Sequence, residues 1–360
     1  MQTSLARTRQ RIVLLQRSEM LILPSLQEFI ILERISNLST ITASHPPISE
    51  PFRIAPQFVE RVWGWTNLAP WFAKLASGNP IGEVWLTGDE CVAETGPWNG
   101  QKLSDIFAEH RDPLVGSSAR VEGSPLLIKV IFAREKLSVQ VHPDDAMAQK
   151  YGSPRGKTEC WYALAADPGA RVACGLKRGV TAEMVRAGIA DGSLEQDLNA
   201  ISINAGDMIF VDAGTVHAIW PGSVILETQQ NSDITYRMFD YGRPRELHIE
   251  KSLEAMRLAT QAGKVEPRAL PDRTILVDAE YFRVERIEVK HSITNAELRA
   301  TDEGAPPLSY LFAASGQAEI TGSFEQVSLP TCGIVAVPAQ SQEFAVSGDG
   351  AVDLIRVVAK

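Results

Sequence analysis

The sequence predicts a mainly β protein made of many short strands, arranged as a sandwich, jelly roll or barrel. Two observations carry this reading. Apolar or alternating runs of strand length recur from Leu126 to the C-terminus, and turn-forming residues separate them at short intervals. Helical sequence interrupts the pattern at only a few places. With 360 residues, 44% of them hydrophobic, the chain is long enough for two cores, and two domains are expected.

The first stretch, to about Pro47, differs from the rest. Its apolar runs, such as Ile12 to Leu15 and Phe29 to Leu32, are broken by charges or Pro24, and each is far below the roughly 20 residues that span a bilayer. Arg17, Glu19, Glu28 and Glu33 also break any secretory apolar region. Residues 1–48 are therefore expected to be a flexible N-terminal extension. From Pro51 to Trp98, aromatic residues alternate with turns, which suggests short strands covering a core.

Leu126 to Phe132 is an apolar strand carrying one lysine, Lys129. Leu137 to His142 alternates at period two, with Ser138, Gln140 and His142 on one face. After Pro143, Asp144 to Lys150 reads as a short helix with an acidic cap, and Gly152, Pro154 and Gly156 form a loop. Strands resume at Glu159 to Ala166 and Arg171 to Leu176. Thr181 to Leu198 reads as helix broken at Asp191-Gly192, with Thr181 and Ser193 as N-caps.

Further strands are expected at Met208 to Val211, Thr215 to Ile219, Val224 to Thr228 and Thr235 to Asp240, then a helix at Glu250 to Leu258. A polar linker from Gln261 to Arg268 marks the boundary between domains 49–260 and 261–360. The second domain is again a run of short strands. Gly206 to Val211 has an echo in Cys332 to Val337, and counting onward from Gly206 and Gly333 puts Phe344 where His217 stands.

A net charge of −9 supplies no broad basic surface, so nucleic acid is not an expected partner, and neither is a membrane. The four cysteines have no CxxC spacing, which fits neither a disulfide framework nor a thiolate metal site and suits a reducing cytoplasm. No phosphate-binding P-loop, dinucleotide glycine pattern or Ser-His-Asp signature is present.

Gln140 and His142 are two apart on a strand, so an amide oxygen and an imidazole nitrogen face one point. Glu159 and His217 complete a mixed nitrogen and oxygen set if their strands are neighbours. Taken singly, each residue also reads as an ordinary strand or turn residue. The combination points to a metal.

Here the sequence resembles a known family, the type I mannose-6-phosphate isomerases, over most of the chain from about Phe52. The segments that carry the resemblance are Gln140-Val141-His142-Pro143-Asp144-Asp145, Gly156-Lys157-Thr158-Glu159-Cys160-Trp161-Tyr162, Ala213 to Ile219 and Glu227 to Arg237. Their wording is closest to the short bacterial branch. The resemblance implies two cupin-like jelly-roll barrels with a few inserted helices, the second without a metal site. It implies one Zn2+ per chain on Gln140, His142, Glu159 and His217, an essential Arg237, and sugar-phosphate contacts from Lys129 and Ser138.

The expected reaction interconverts mannose 6-phosphate and fructose 6-phosphate through an enediol(ate), which requires carbonyl polarisation and a proton carrier. Glu227, Lys157 and a metal-bound hydroxide are all candidates for that carrier. In the bland alternative, Glu227 is a strand carboxylate paired with Arg237, and Lys157 is a loop cation. The competing functional reading is a non-catalytic sugar-binding cupin with a structural metal. A small-molecule sugar phosphate is the expected partner, and the chain is expected to act as a monomer or homodimer.

Overall fold

The computed structural model describes residues 48–73, 78–116 and 123–360. The expected extension, 1–48, lies outside these residues except for Ile48, which is fully buried. The first series of strands is β1 (Phe52–Ile54), β2 (Gln57–Trp65), β3 (Ile81–Trp85), β4 (Leu126–Ala133), β5 (Val139–Val141), β6 (Glu159–Ala166), β7 (Arg171–Leu176), β8 (Leu198–Ser202), β9 (Met208–Val211), β10 (His217–Ile219), β11 (Ser223–Gln230), β12 (Tyr236–Phe239) and β13 (Gly263–Lys264). The second is β14 (Arg268–Ala269), β15 (Thr274–Asp278), β16 (Phe282–Val289), β17 (Ser292–Thr294), β18 (Ser309–Ser315), β19 (Ala318–Gly322), β20 (Val327–Leu329), β21 (Ile334–Val337), β22 (Phe344–Ser347) and β23 (Val352–Ala359).

These strands form four antiparallel sheets. A seven-stranded sheet, β13-β9-β6-β11-β4-β3-β2, faces a five-stranded one, β12-β5-β10-β7-β8. A second seven-stranded sheet, β1-β21-β18-β23-β16-β15-β14, faces a four-stranded one, β17-β22-β19-β20. Strand for strand, β2 to β11 and β14 to β23 occupy the same places. The echo seen in the sequence is thus one visible piece of a repeat of topology. Phe344 opens β22 as His217 opens β10.

Period-two alternation divides the side chains among the layers. On β4, Leu126, Ile128, Val130 and Phe132 enter a central core between the two seven-stranded sheets, where they meet Val284, Phe312, Ile355 and Val357. The other face of β4 turns into the first sandwich, where Ile131 and Ala133 pack with Trp161, Val172, Ile219 and Ile225. Lys129 shares that inward face. The outer face of the five-stranded sheet, through Val139, Val141, Ala218 and Met238, is covered by the helices Ala182–Asp191 and Ile249–Ala255.

The helices are α1 (Leu103–Val115), α2 (Asp145–Lys150), α3 (Ala182–Asp191), α4 (Ile249–Ala255) and α5 (Asn295–Leu298). As expected, the Asp144 and Thr181 side chains cap α2 and α3, accepting from the Met147 and Met184 amides. Ser193 makes no side-chain cap, and only a 3₁₀ turn, Leu194–Asp197, follows it. The linker at 261–268 contains the short strands β13 and β14, because each adds an edge to a sheet already formed. Helix α1 is not evident in the sequence, since it contains Pro113 and bends at His110, yet Ile106, Phe107 and Leu114 still reach the central core.

The interior of the second sandwich has no His or Glu at the places of His217 and Glu159; Phe344 and Ser309 stand there instead. It buries a different charge cluster. Glu285 is bonded by Arg273 (3.0 Å) and Arg283 (2.8 Å), and Arg356 joins it to Asp302. Glu285 is fully buried, so Glu285→Ala strands several guanidiniums. Its expected cost is about 3–5 kcal/mol of unfolding free energy, measured by urea denaturation. A loss below about 1 kcal/mol would mean that the network does not hold this sandwich together.

Candidate active site

The site forms at one end of the first sandwich, where inward residues of both sheets converge. His142 follows β5, His217 opens β10, and Glu159 opens β6 on the facing sheet. His217 lies in register with Gln140 across β10 and β5, which brings the two histidines together with ring centroids 4.7 Å apart. His142 Nε2 lies 3.5 Å from Glu159 Oε2, and His217 Nε2 lies 3.4 Å from Glu159 Oε1. All three residues are at most 1% exposed.

Each imidazole is oriented through its other nitrogen. His142 Nδ1 donates to the Ile234 carbonyl (3.0 Å) and His217 Nδ1 to the Thr215 carbonyl (2.9 Å), which assigns the lone pair of each ring to Nε2. Burial pushes both imidazoles below the ordinary histidine range, assisted at His142 by Lys157. They are therefore neutral. His217 Nε2 is buried with no hydrogen-bond partner, and the three ligand atoms lie within 4.8 Å of one another. Two neutral imidazoles and a carboxylate whose Oε1 is fixed by the Trp161 indole (3.0 Å) suit a divalent metal ion.

Beside this triad runs a chain of alternating charges. Lys157 Nζ lies 3.1 Å from His142 Nε2, 3.0 Å from Glu159 Oε2 and 3.7 Å from Glu227 Oε1. Lys129 Nζ lies 3.2 Å from Glu227 and 3.3 Å from Glu83, and Arg61 reaches Glu83 at 2.8 Å. The registers Glu227 to Lys129 and Glu227 to Trp161 place these groups on one inward face. Burial and the nearby Glu159 push the Glu227 carboxyl up, whereas at Glu159 the opposing effect of burial is overcome by Lys157 and His217. Burial likewise opposes the charge on Glu83, yet Lys129 and Arg61 bring its carboxyl down to about 2.

The bland alternative, Glu227 paired with Arg237, is not found, because Lys129 and Lys157 on closer inward positions meet the carboxylate instead. The structure brings together His142, Lys157, Glu159 and His217, and adjoining them Lys129 and Glu227. Ser138, Gln140 and Arg237 share the inward face of the five-stranded sheet, but none forms a hydrogen bond or ion pair with the cluster. Ser138 is buried, and Gln140 is half-buried in register with Arg237 on the edge strand β12. Arg237 donates to the Glu246 carbonyl (2.8 Å), and its Nε is buried without a partner.

Glu83 was not singled out from sequence. Its signal was a lone carboxylate in Ile81-Gly82-Glu83-Val84-Trp85, with Glu83 and Trp85 on one face by period two. The Asp145 carboxylate is also central: it accepts from the Gly156 amide (2.7 Å), Gln230 (2.9 Å) and Tyr281 (3.0 Å). Gly156 lies so close to the chain after His142 that a Cβ there would sit 2.5 Å from the Pro143 carbonyl oxygen and the Asp144 carbonyl carbon. Gly156→Ala must therefore push apart the segments bearing His142 and Lys157. Divalent-metal affinity is expected to fall about 10- to 100-fold in a competitive chelator titration, and an unchanged affinity would refute that linkage.

Comparison with known proteins points one way. A family model described as the catalytic domain of type I phosphomannose isomerase matches residues 52–169. The mannose-6-phosphate isomerase of Streptococcus mutans is 33% identical over 84% of this chain and 96% of its own. The ManA mannose-6-phosphate isomerase of Bacillus subtilis is 36% identical over 66% of this chain and 78% of its own. Among solved structures, a mannose 6-phosphate isomerase from Bacillus subtilis superposes with a TM-score of 0.75 at 29% identity, covering 86% of this chain and 99% of that one. With identity, coverage and fold in agreement, the chain belongs to the type I phosphomannose isomerase family.

Proposed function

We propose that the chain is a zinc-dependent aldose-ketose isomerase that interconverts mannose 6-phosphate and fructose 6-phosphate through an enediolate. The observation that carries this reading is the convergence of the His142, Glu159 and His217 triad with the buried Lys129, Lys157 and Glu227. A structural metal needs only ligands, whereas here two ammonium groups and a second carboxylate are held in a buried site beside them. Zn2+, when bound, supplies Lewis-acid polarisation of the sugar's carbonyl. His142, Glu159 and His217 are its protein ligands, with Gln140 as the fourth.

Glu227 is the proposed base. Its raised proton affinity suits a carboxylate that takes a proton from one sugar carbon and returns it to the neighbouring one. Lys129 and Lys157 flank it and oppose the negative charge that develops on the sugar oxygens. Ser138 and Lys129 are the proposed contacts to the substrate phosphate. Arg237, whose Nε has no partner, turns its fixed charge toward the bound sugar phosphate. The division into a catalytic region, 49–260, and a metal-free copy, 261–360, is part of the same proposal and is supported by Phe344 at the place of His217. The four cysteines are free and buried, which supports a cytoplasmic setting.

The test is a coupled assay with mannose 6-phosphate before chelation, after it and after zinc is restored. Turnover should vanish and return, and a zinc-loaded protein that never turns over would sink the proposal. His142→Ala should lose metal and activity together. Arg237→Ala should keep its metal while kcat falls about 100-fold or more, and full activity in that variant would remove Arg237 from the mechanism.

A further inference from the structure

A lysine buried beside a carboxylate that gains and loses a proton faces a difficulty. Each time the carboxylate is protonated, the ammonium loses its counter-charge in a site where water does not replace it. Lys129, 6% exposed, stands in this position beside Glu227. On its other side, 3.3 Å away, is Glu83, itself 7% exposed. The Glu83 carboxylate is held by two further donors, the Arg61 guanidinium at 2.8 Å and the Trp85 indole at 3.1 Å. Strands β2, β3 and β4 are neighbours, and Trp85 is in register with Lys129, so the whole arrangement belongs to one sheet face.

We infer that Glu83 is a positioning residue for the isomerisation: pinned by Arg61 and Trp85, it is the standing counter-charge of Lys129. This role rests on the isomerase reading above and extends it to residues outside the reacting layer. When Glu227 accepts the proton from the sugar carbon, Lys129 keeps an ionised partner in Glu83, and so keeps both its charge and its place. The proton then remains on Glu227, available for the neighbouring carbon, and Lys129, still paired with a carboxylate, keeps its own. Glu83 forms no ion pair or hydrogen bond with His142, Glu159, His217 or Glu227; its contact with the site is Lys129, and its charge also helps to push the Glu227 carboxyl up.

The experiment compares the zinc-loaded wild type with Glu83→Gln, Glu83→Asp, Arg61→Ala and the double variant of Arg61→Ala with Glu83→Gln. Glu83→Gln is expected to lower kcat about 100-fold with metal content held. Glu83→Asp should recover part of that loss, because it restores the charge. The double variant should be no slower than Glu83→Gln alone, since both changes act on the same ammonium. If Glu83→Gln fails to fold, Arg61→Ala and Trp85→Phe each remove one donor from the carboxylate and should lower kcat. An inactive wild type would overturn the isomerase reading itself. An active wild type whose kcat is matched within twofold by Glu83→Gln, or by both donor variants, overturns the role of Glu83 alone, as does a rise in KM at unchanged kcat.

Discussion

Burial of Lys129 is the constraint around which the rest of the site is arranged. An ammonium in the middle of β4, between Ile128 and Val130, is tolerated only where carboxylates on the adjoining strands meet it. Glu227 on β11 and Glu83 on β3 do so from either side, and each then needs its own cation, Lys157 and Arg61 respectively. The chain of charges ends inward at the metal triad and outward at Arg61, whose side chain is 35% exposed. Only there does water share the load. Such a row fixes every member through its neighbours.

The same position in the second sandwich shows what happens when no reaction is served. Glu285 on β16 pairs in register with Arg356 on β23, as Lys129 on β4 pairs with Glu227 on β11, with the signs exchanged. Around Glu285 the extra cations are arginines, and their other donors reach the carbonyls of Leu298, which ends α5, and Thr301, and the carboxylates of Asp272 and Asp302. The first sandwich uses lysines, point charges without the guanidinium's fork of donors.

Much of this was legible in the sequence, and the parts that were not share a cause. Period two put Ser138, Gln140 and His142 on one face, and the structure has them there. The spacing of turns gave strands close to those observed at Leu126–Ala133, Glu159–Ala166 and Met208–Val211. Glu83 escaped notice because its meaning lies in a cross-strand neighbour, Lys129, and pairing between strands distant in sequence leaves no local mark. The partners of Glu227 leave no local mark for the same reason: Arg237 is nearer in sequence, while Lys129 and Lys157 are nearer in space. Helix α1 was hidden by Pro113, since tertiary burial of Leu114 and Val115 outweighs a local helix breaker.

The division of the sequence at 261–268 also takes on a different physical meaning in the fold. Each seven-stranded sheet receives its last strand from across that boundary: β1, which begins at Phe52, pairs with β21, and β13, at Gly263–Lys264, pairs with β9. The edges so covered are topologically equivalent, and neither sheet is complete without a strand from across the boundary. The two large sheets then bury one common core, in which Phe132 and Phe312 belong to different halves. The second sandwich reaches the site directly as well. Tyr281 donates to Asp145, the carboxylate that also accepts from the Gly156 amide, and the next residue is Lys157. A copy without metal ligands is thereby tied, through one phenol and one carboxylate, to the loop that carries a lysine of the other copy's site.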